Sequence, residues 1–144
     1  MALLRCIDQA SQTFRETFQR LSEANELLRA RSFDMMKLIE YLTALFKNMD
    51  VYAFTTHGDL RFVSGVNTND PICLSISSYG YGYGYTVRYV MPKEDNPPWE
   101  GAMITGEALG SQKKVARMIL EAMIRSGGWK DKGDKLRTLQ ADLD

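Results

Sequence analysis

Apolar residues recur with a 3-4 spacing through the first fifty residues, in a stretch of 57 that contains neither glycine nor proline. One register of the repeat reads Leu4, Ser11, Phe18, Asn25, Ser32, Ile39, Phe46; the other reads Ile7, Phe14, Leu21, Leu28, Met35, Leu42, Met49. All seven residues of the second register are apolar, and four of the first. A period of 3.5 residues held over many turns keeps an apolar seam facing a partner helix. The spacing therefore predicts helix. An unbroken helix here would be about 70 Å long, more than the diameter of a domain this size, so part of it would project.

The seam is not uniform. Its first half is interrupted by Ser11, Asn25 and Ser32, and an Asn in such a seam can fix register and a two-stranded state. In the second half Leu38, Leu45 and Tyr41 widen the apolar face, which suits packing on a sheet. Residues 33–49 are thus expected to cover the protein's own sheet, and residues 1–32 to project as an amphipathic, coiled-coil helix that builds a homo-oligomer, a dimer in first place. The residues expected to carry self-association are Leu4, Ile7, Phe14, Phe18, Leu21, Asn25 and Leu28. The alternative is a helical hairpin within one chain, reversing near Arg29–Ser32 with Ser32 as the cap of the second helix.

After Asp50 the period falls to two. VYAFT (51–55) and LRFVS (60–64) flank THGD, a tight hairpin turn with His57 inside it. ICLSISS (72–78), YTVRYVM (85–91) and AMITGEA (102–108) continue the alternation. Such alternation marks an antiparallel sheet, here of about five strands, with one covered face. A helix follows, from a cap at Ser111 to Ser126, with Val115, Met118, Ile119, Ala122 and Met123 on its apolar side; Gly127–Gly128 ends it. Residues 33–128 form the α+β body. Residues 129–144 read as a charged, flexible tail, with a short helix from Asp134 if the tail docks. Trp99 and Trp129 follow chain breakers and are expected to fold back as apolar plugs.

Composition narrows the function classes. The chain has 144 residues, 44% hydrophobic and 25% charged, an ordinary globular balance. Eighteen basic and eighteen acidic side chains cancel, which disfavours nucleic acid as a partner. Residues 51–110 carry three basic and six acidic groups, and residues 111–144 eight and five, so a basic C-terminal helix faces an acidic sheet. Two cysteines make no disulfide framework and suggest a cytoplasmic home. No apolar run reaches membrane-spanning length.

Candidate chemistry is sparse. His57 is the single histidine, and no zinc spacing, GxSxG elbow or HExxH helix occurs. No cofactor, metal or catalytic residue is expected. The unusual segment is Tyr79-Gly80-Tyr81-Gly82-Tyr83-Gly84-Tyr85. If extended, it puts all four rings on one face; as a hairpin tip, its glycines supply positive φ and its rings splay outward. Exposed tyrosines bury much area at small entropic cost, so Tyr79, Tyr81 and Tyr83, with Trp99 in the acidic loop, form a candidate protein-binding surface. Lys113, Lys114 and Arg117 form a basic patch where GEALGSQKK enters the helix. The expected function is a non-enzymatic interaction module, an adaptor, chaperone or inhibitor. The second expectation is a binder of a small anionic ligand or nucleotide that uses the Tyr-Gly hairpin and the basic helix.

Overall fold

In the computed structural model, which describes residues 3–70, 72–90, 103–108 and 112–143, the part of the glycine-free stretch before Asp50 is divided into four elements. A short strand, β1 (Leu3–Arg5), is followed by a single 3-10 turn (Ile7–Gln9), α1 (Phe14–Ser22) and α2 (Glu26–Leu45). The continuous projecting helix is thus replaced by a helical hairpin, and the reason lies in the caps. Thr13 and Glu16 form a reciprocal capping box: Thr13 Oγ1 accepts from Glu16 N at 3.0 Å, and Thr13 N donates to Glu16 Oε1 at 3.2 Å. Asn25 is extended and its Oδ1 accepts from Leu28 N at 2.8 Å, which starts α2. The reversal spans residues 23–25, not 29–32, and Ser32 is buried inside α2.

The hairpin uses its own seam. α1 packs on α2, and Phe14 and Phe18 lie in the same core as Met35, Leu38, Ile39 and Leu42. Of the residues expected to self-associate, Leu21 is half-buried against that core, Leu4 and Leu28 are half-buried, Asn25 is a cap, and only Ile7 is a well-exposed apolar side chain.

The remaining strands are β2 (Val51–Thr56), β3 (Asp59–Val63), β4 (Ile72–Ser78), β5 (Tyr85–Val90) and β6 (Met103–Ala108). They make an antiparallel meander in chain order, and β1 joins its β2 edge in parallel, with Leu3 opposite Val51 and Arg5 opposite Ala53. The sheet therefore has six strands among the described residues, one more than expected. A three-residue strand carries too little alternation to show against a helical background. Val51, Ala53, Leu60, Phe62, Leu74, Ile76, Val87 and Tyr89 face the core beneath α2 and α3 (Gln112–Ser126). On the opposite face, Cys6 seals a smaller cluster with Phe54 and Val63.

α3 keeps its expected stripe, and Gly127 at φ 75° follows it. The C-terminal tail is ordered: Trp129 is buried, Lys130–Lys132 forms a 3-10 turn, and α4 (Gly133–Leu143) packs on α3 through Leu136 and Leu143. The structure therefore ends in two helices, because Leu136, Leu139 and Leu143 fall on one side of a helix among the charges. Ser111, Trp99 and the Lys93–Glu100 loop lie outside the described residues.

Candidate functional site

The Tyr-Gly segment is a hairpin tip. Tyr83 N donates to Gly80 O at 3.0 Å and Tyr79 N to Gly84 O at 3.0 Å. Tyr81 and Gly82 between them both have positive φ, 56° and 73°, the pattern of a type I′ turn, whose twist matches that of the flanking strands. Tyr85 enters the core, while Tyr79, Tyr81 and Tyr83 are exposed, and the Tyr81 and Tyr83 ring centroids are 6.2 Å apart.

One carboxylate fixes this tip to α2. Asp34 is buried; its Oδ2 accepts from Gly82 N at 2.9 Å and from Ser78 Oγ at 3.3 Å, while its main-chain oxygen accepts from Tyr85 OH at 2.7 Å. Ser78 Oγ in turn accepts from Gly80 N at 2.9 Å. Burial pushes the Tyr85 hydroxyl up to about 12, so it remains a donor. Gly80 allows the close approach, since a Cβ there would stand 3.3 Å from Ala30 Cβ.

The docked tip and α2 enclose a groove of about 540 Å³ lined by Tyr81, Phe33, Arg29, Lys37 and Glu26 among others. Phe33 stays 62% exposed, Tyr81 54% and Tyr83 69%. Lys37 Nζ sits 4.5 Å above the Phe33 ring, a cation–π contact. A second groove of about 460 Å³, between α1 and α2, shares Arg29, Phe33 and Lys37 with the first. Phe33 thus stands where the two grooves meet.

The basic patch is elsewhere. Lys113 and Lys114 are exposed on α3, and Arg117 donates to Leu143 O at 2.6 Å, tying α3 to the end of α4. The cations beside the Tyr81 ring are instead Arg29 and Lys37. Phe33, Asp34 and Lys37 fall outside both registers of the apolar repeat along α2, so its periodicity does not mark them. The available signal was a large aromatic at position 33, outside both registers of the repeat.

His57 occupies the turn between β2 and β3, and burial pushes the Cys6 thiol up to about 11. Among the described residues there is no group of His, Cys, Asp and Glu arranged to hold a metal ion, and no helix is long and apolar enough to cross a membrane. No known protein family, curated protein or solved structure matches the chain.

Proposed function

We propose that this protein is a non-catalytic protein-interaction module whose binding surface is the aromatic groove between α2 and the Tyr-Gly hairpin. The observation that carries this reading is three large aromatics left mostly exposed: Phe33 and Tyr81 line a groove whose walls are tied together by Asp34, and Tyr83 stands beside Tyr81. Large rings held in place lose little entropy on binding, and the neighbouring Arg29 and Lys37 supply the polar rim that recognition surfaces use. The partner class is a polypeptide segment that offers apolar side chains to the rings and a carboxylate to the cations. Homo-oligomerisation is the same proposal with a second copy as partner. It shifts from the α1 seam, where Phe14 and Phe18 are buried, to this exposed surface. The cytoplasm is the proposed setting, in keeping with the reduced Cys6.

The test compares the full-length protein with Phe33→Ser and Tyr83→Ser, both surface changes that leave the core intact. A polypeptide captured stoichiometrically from the native host by the wild type and lost from both variants is the expected result. A dimer in light scattering that dissociates in both variants would identify the partner as a second copy. Capture or dimerisation undiminished in both variants defeats the assignment of this surface, as does a wild type that neither captures a partner nor dimerises.

A further inference from the structure

A separate cavity, of about 300 Å³, opens where β1, α1 and the β2–β3 hairpin meet. Its lining is almost wholly polar, with Leu21 as the one aliphatic side chain. Arg5, Arg20 and His57 all border it.

Arg5 is half-buried, and its hydrogen-bond partners among the described residues are all neutral. Its Nε donates to Gln12 O at 3.0 Å, one terminal nitrogen to Thr55 Oγ1 at 2.8 Å, and the other to Thr17 Oγ1 at 3.1 Å. Its other contact is the Phe14 ring, 4.9 Å from the guanidinium carbon. Among the described residues no carboxylate forms an ion pair with it. These three bonds explain how Arg5 joins β1 to β2 and α1, but a neutral amide could join them too. They do not explain why a full positive charge is held there, against a desolvation that pulls its pKa down. A guanidinium has five N–H donors, so two remain unused.

The rest of the lining has the same bias toward donors. Arg20 spends one contact on Gln12 Oε1 at 3.3 Å, and that oxygen also accepts from Thr17 Oγ1 at 3.4 Å, leaving the Gln12 amide nitrogen for a ligand. The lone carboxylate on the wall, Asp8, is occupied: its Oδ1 accepts from Thr68 N at 2.9 Å and its Oδ2 from the Thr68 hydroxyl. The Gln9 amide is likewise spent, accepting from Thr55 N at 3.1 Å and donating to Thr55 O at 3.3 Å. Two arginines thus share the wall with one carboxylate, itself engaged.

We infer that this cavity is a binding site for a phosphate group, carried by a small polar phosphomonoester or present as the free ion. Guanidinium N–H groups match the oxygens of a phosphate, and the volume leaves room for a few further polar atoms beside it. The site shares no lining residue with the aromatic groove and stands independently of the proposed interaction role.

Titration calorimetry on the full chain at low salt tests it, with inorganic phosphate, glycerol 3-phosphate and succinate as probes. Saturable binding of one phosphate probe per chain is expected, weakened about tenfold or more in Arg20→Ala, since a charged hydrogen bond is being removed. Tighter binding of glycerol 3-phosphate than of phosphate assigns the ester; the reverse assigns the free ion. Lys47→Ala, which removes an exposed charge that is not part of this lining, should leave the affinity unchanged. Arg5→Lys keeps the charge but loses the fork, and should also weaken binding. If Arg5→Lys fails to fold, Arg20→Ala still decides. No saturable binding at millimolar phosphate or ester, equal binding in Arg20→Ala, or succinate binding more tightly than both phosphates overturns the assignment.

Discussion

His57 and Tyr81 are, among the described residues, the two that carry a side chain at positive φ, 51° and 56°. Each is followed by a glycine that completes a type I′ turn. The left-handed conformation costs an ordinary residue about 1–2 kcal/mol, and Asn tolerates it better. His57→Asn is therefore expected to stabilise the protein by about 0.5–1 kcal/mol in urea denaturation. A loss instead would mean that the His57 ring, with Nδ1 3.3 Å from Thr56 Oγ1, contributes more than its backbone costs. Cys6 supplies a prediction in pH. Its folded pKa is raised from 9.0 to about 11, first by burial and then by the Asp8 charge, so the native state favours the neutral thiol. That contribution is fully present below pH 9 and is lost as pH rises through about 11. In a Cys73→Ser background, stability should fall across this window, and adding Cys6→Ala should remove that component of the fall. Native Cys6 should also resist thiol reagents near neutral pH. A rapid reaction there would contradict its burial.

Element by element, the caps decide what the apolar repeat leaves open. Thr13→Ala and Asn25→Ala should each cost about 1 kcal/mol in chemical denaturation. Little change at Asn25 would show that its bond to Leu28 does not set the start of α2. The sequence read well where period and breakers agree: the β2–β3 hairpin around His57–Gly58, the alternating β4 and β5, and the stripe of α3. It read poorly where two short helices present apolar faces to one core. The 3-4 spacing then continues across the reversal, and Asn25, a cap, falls where a seam residue would stand. The Thr13-x-x-Glu16 box was a usable signal for the start of α1. The tyrosines of the candidate surface were legible from their glycines, which the turn requires at positive φ. Phe33 and Asp34 were not, because their roles depend on the hairpin folding over α2, a contact between residues 48 apart in the chain for Asp34 and Gly82. The same holds for the Arg5 cavity, whose walls come from three separate elements.

Across the whole molecule the C-terminal helix is part of the core. Leu136 is fully buried, so Leu136→Ala should cost about 2–5 kcal/mol, and a chain ending at Gly128 should lose stability by at least as much because it also loses the buried Trp129. A truncated chain with unchanged thermal stability would restore the picture of an independent tail. The α1–α2 groove and the polar cavity draw on different faces of α1: Arg15, Phe18 and Gln19 border the groove, while Thr17, Arg20 and Leu21 border the cavity.

β1 has a consequence for timing. Leu3 pairs with Val51 and Arg5 with Ala53, so β1 has no partner until the chain has been made through β2, about fifty residues further on. Loop closure on that scale is an entropic cost met late in folding. Arg5 remains unfixed until then, and the cavity it borders cannot exist on a nascent chain that lacks β2. Phosphate binding would therefore mark a chain whose β1–β2 edge has closed, making the cavity a reporter of that one long-range pairing.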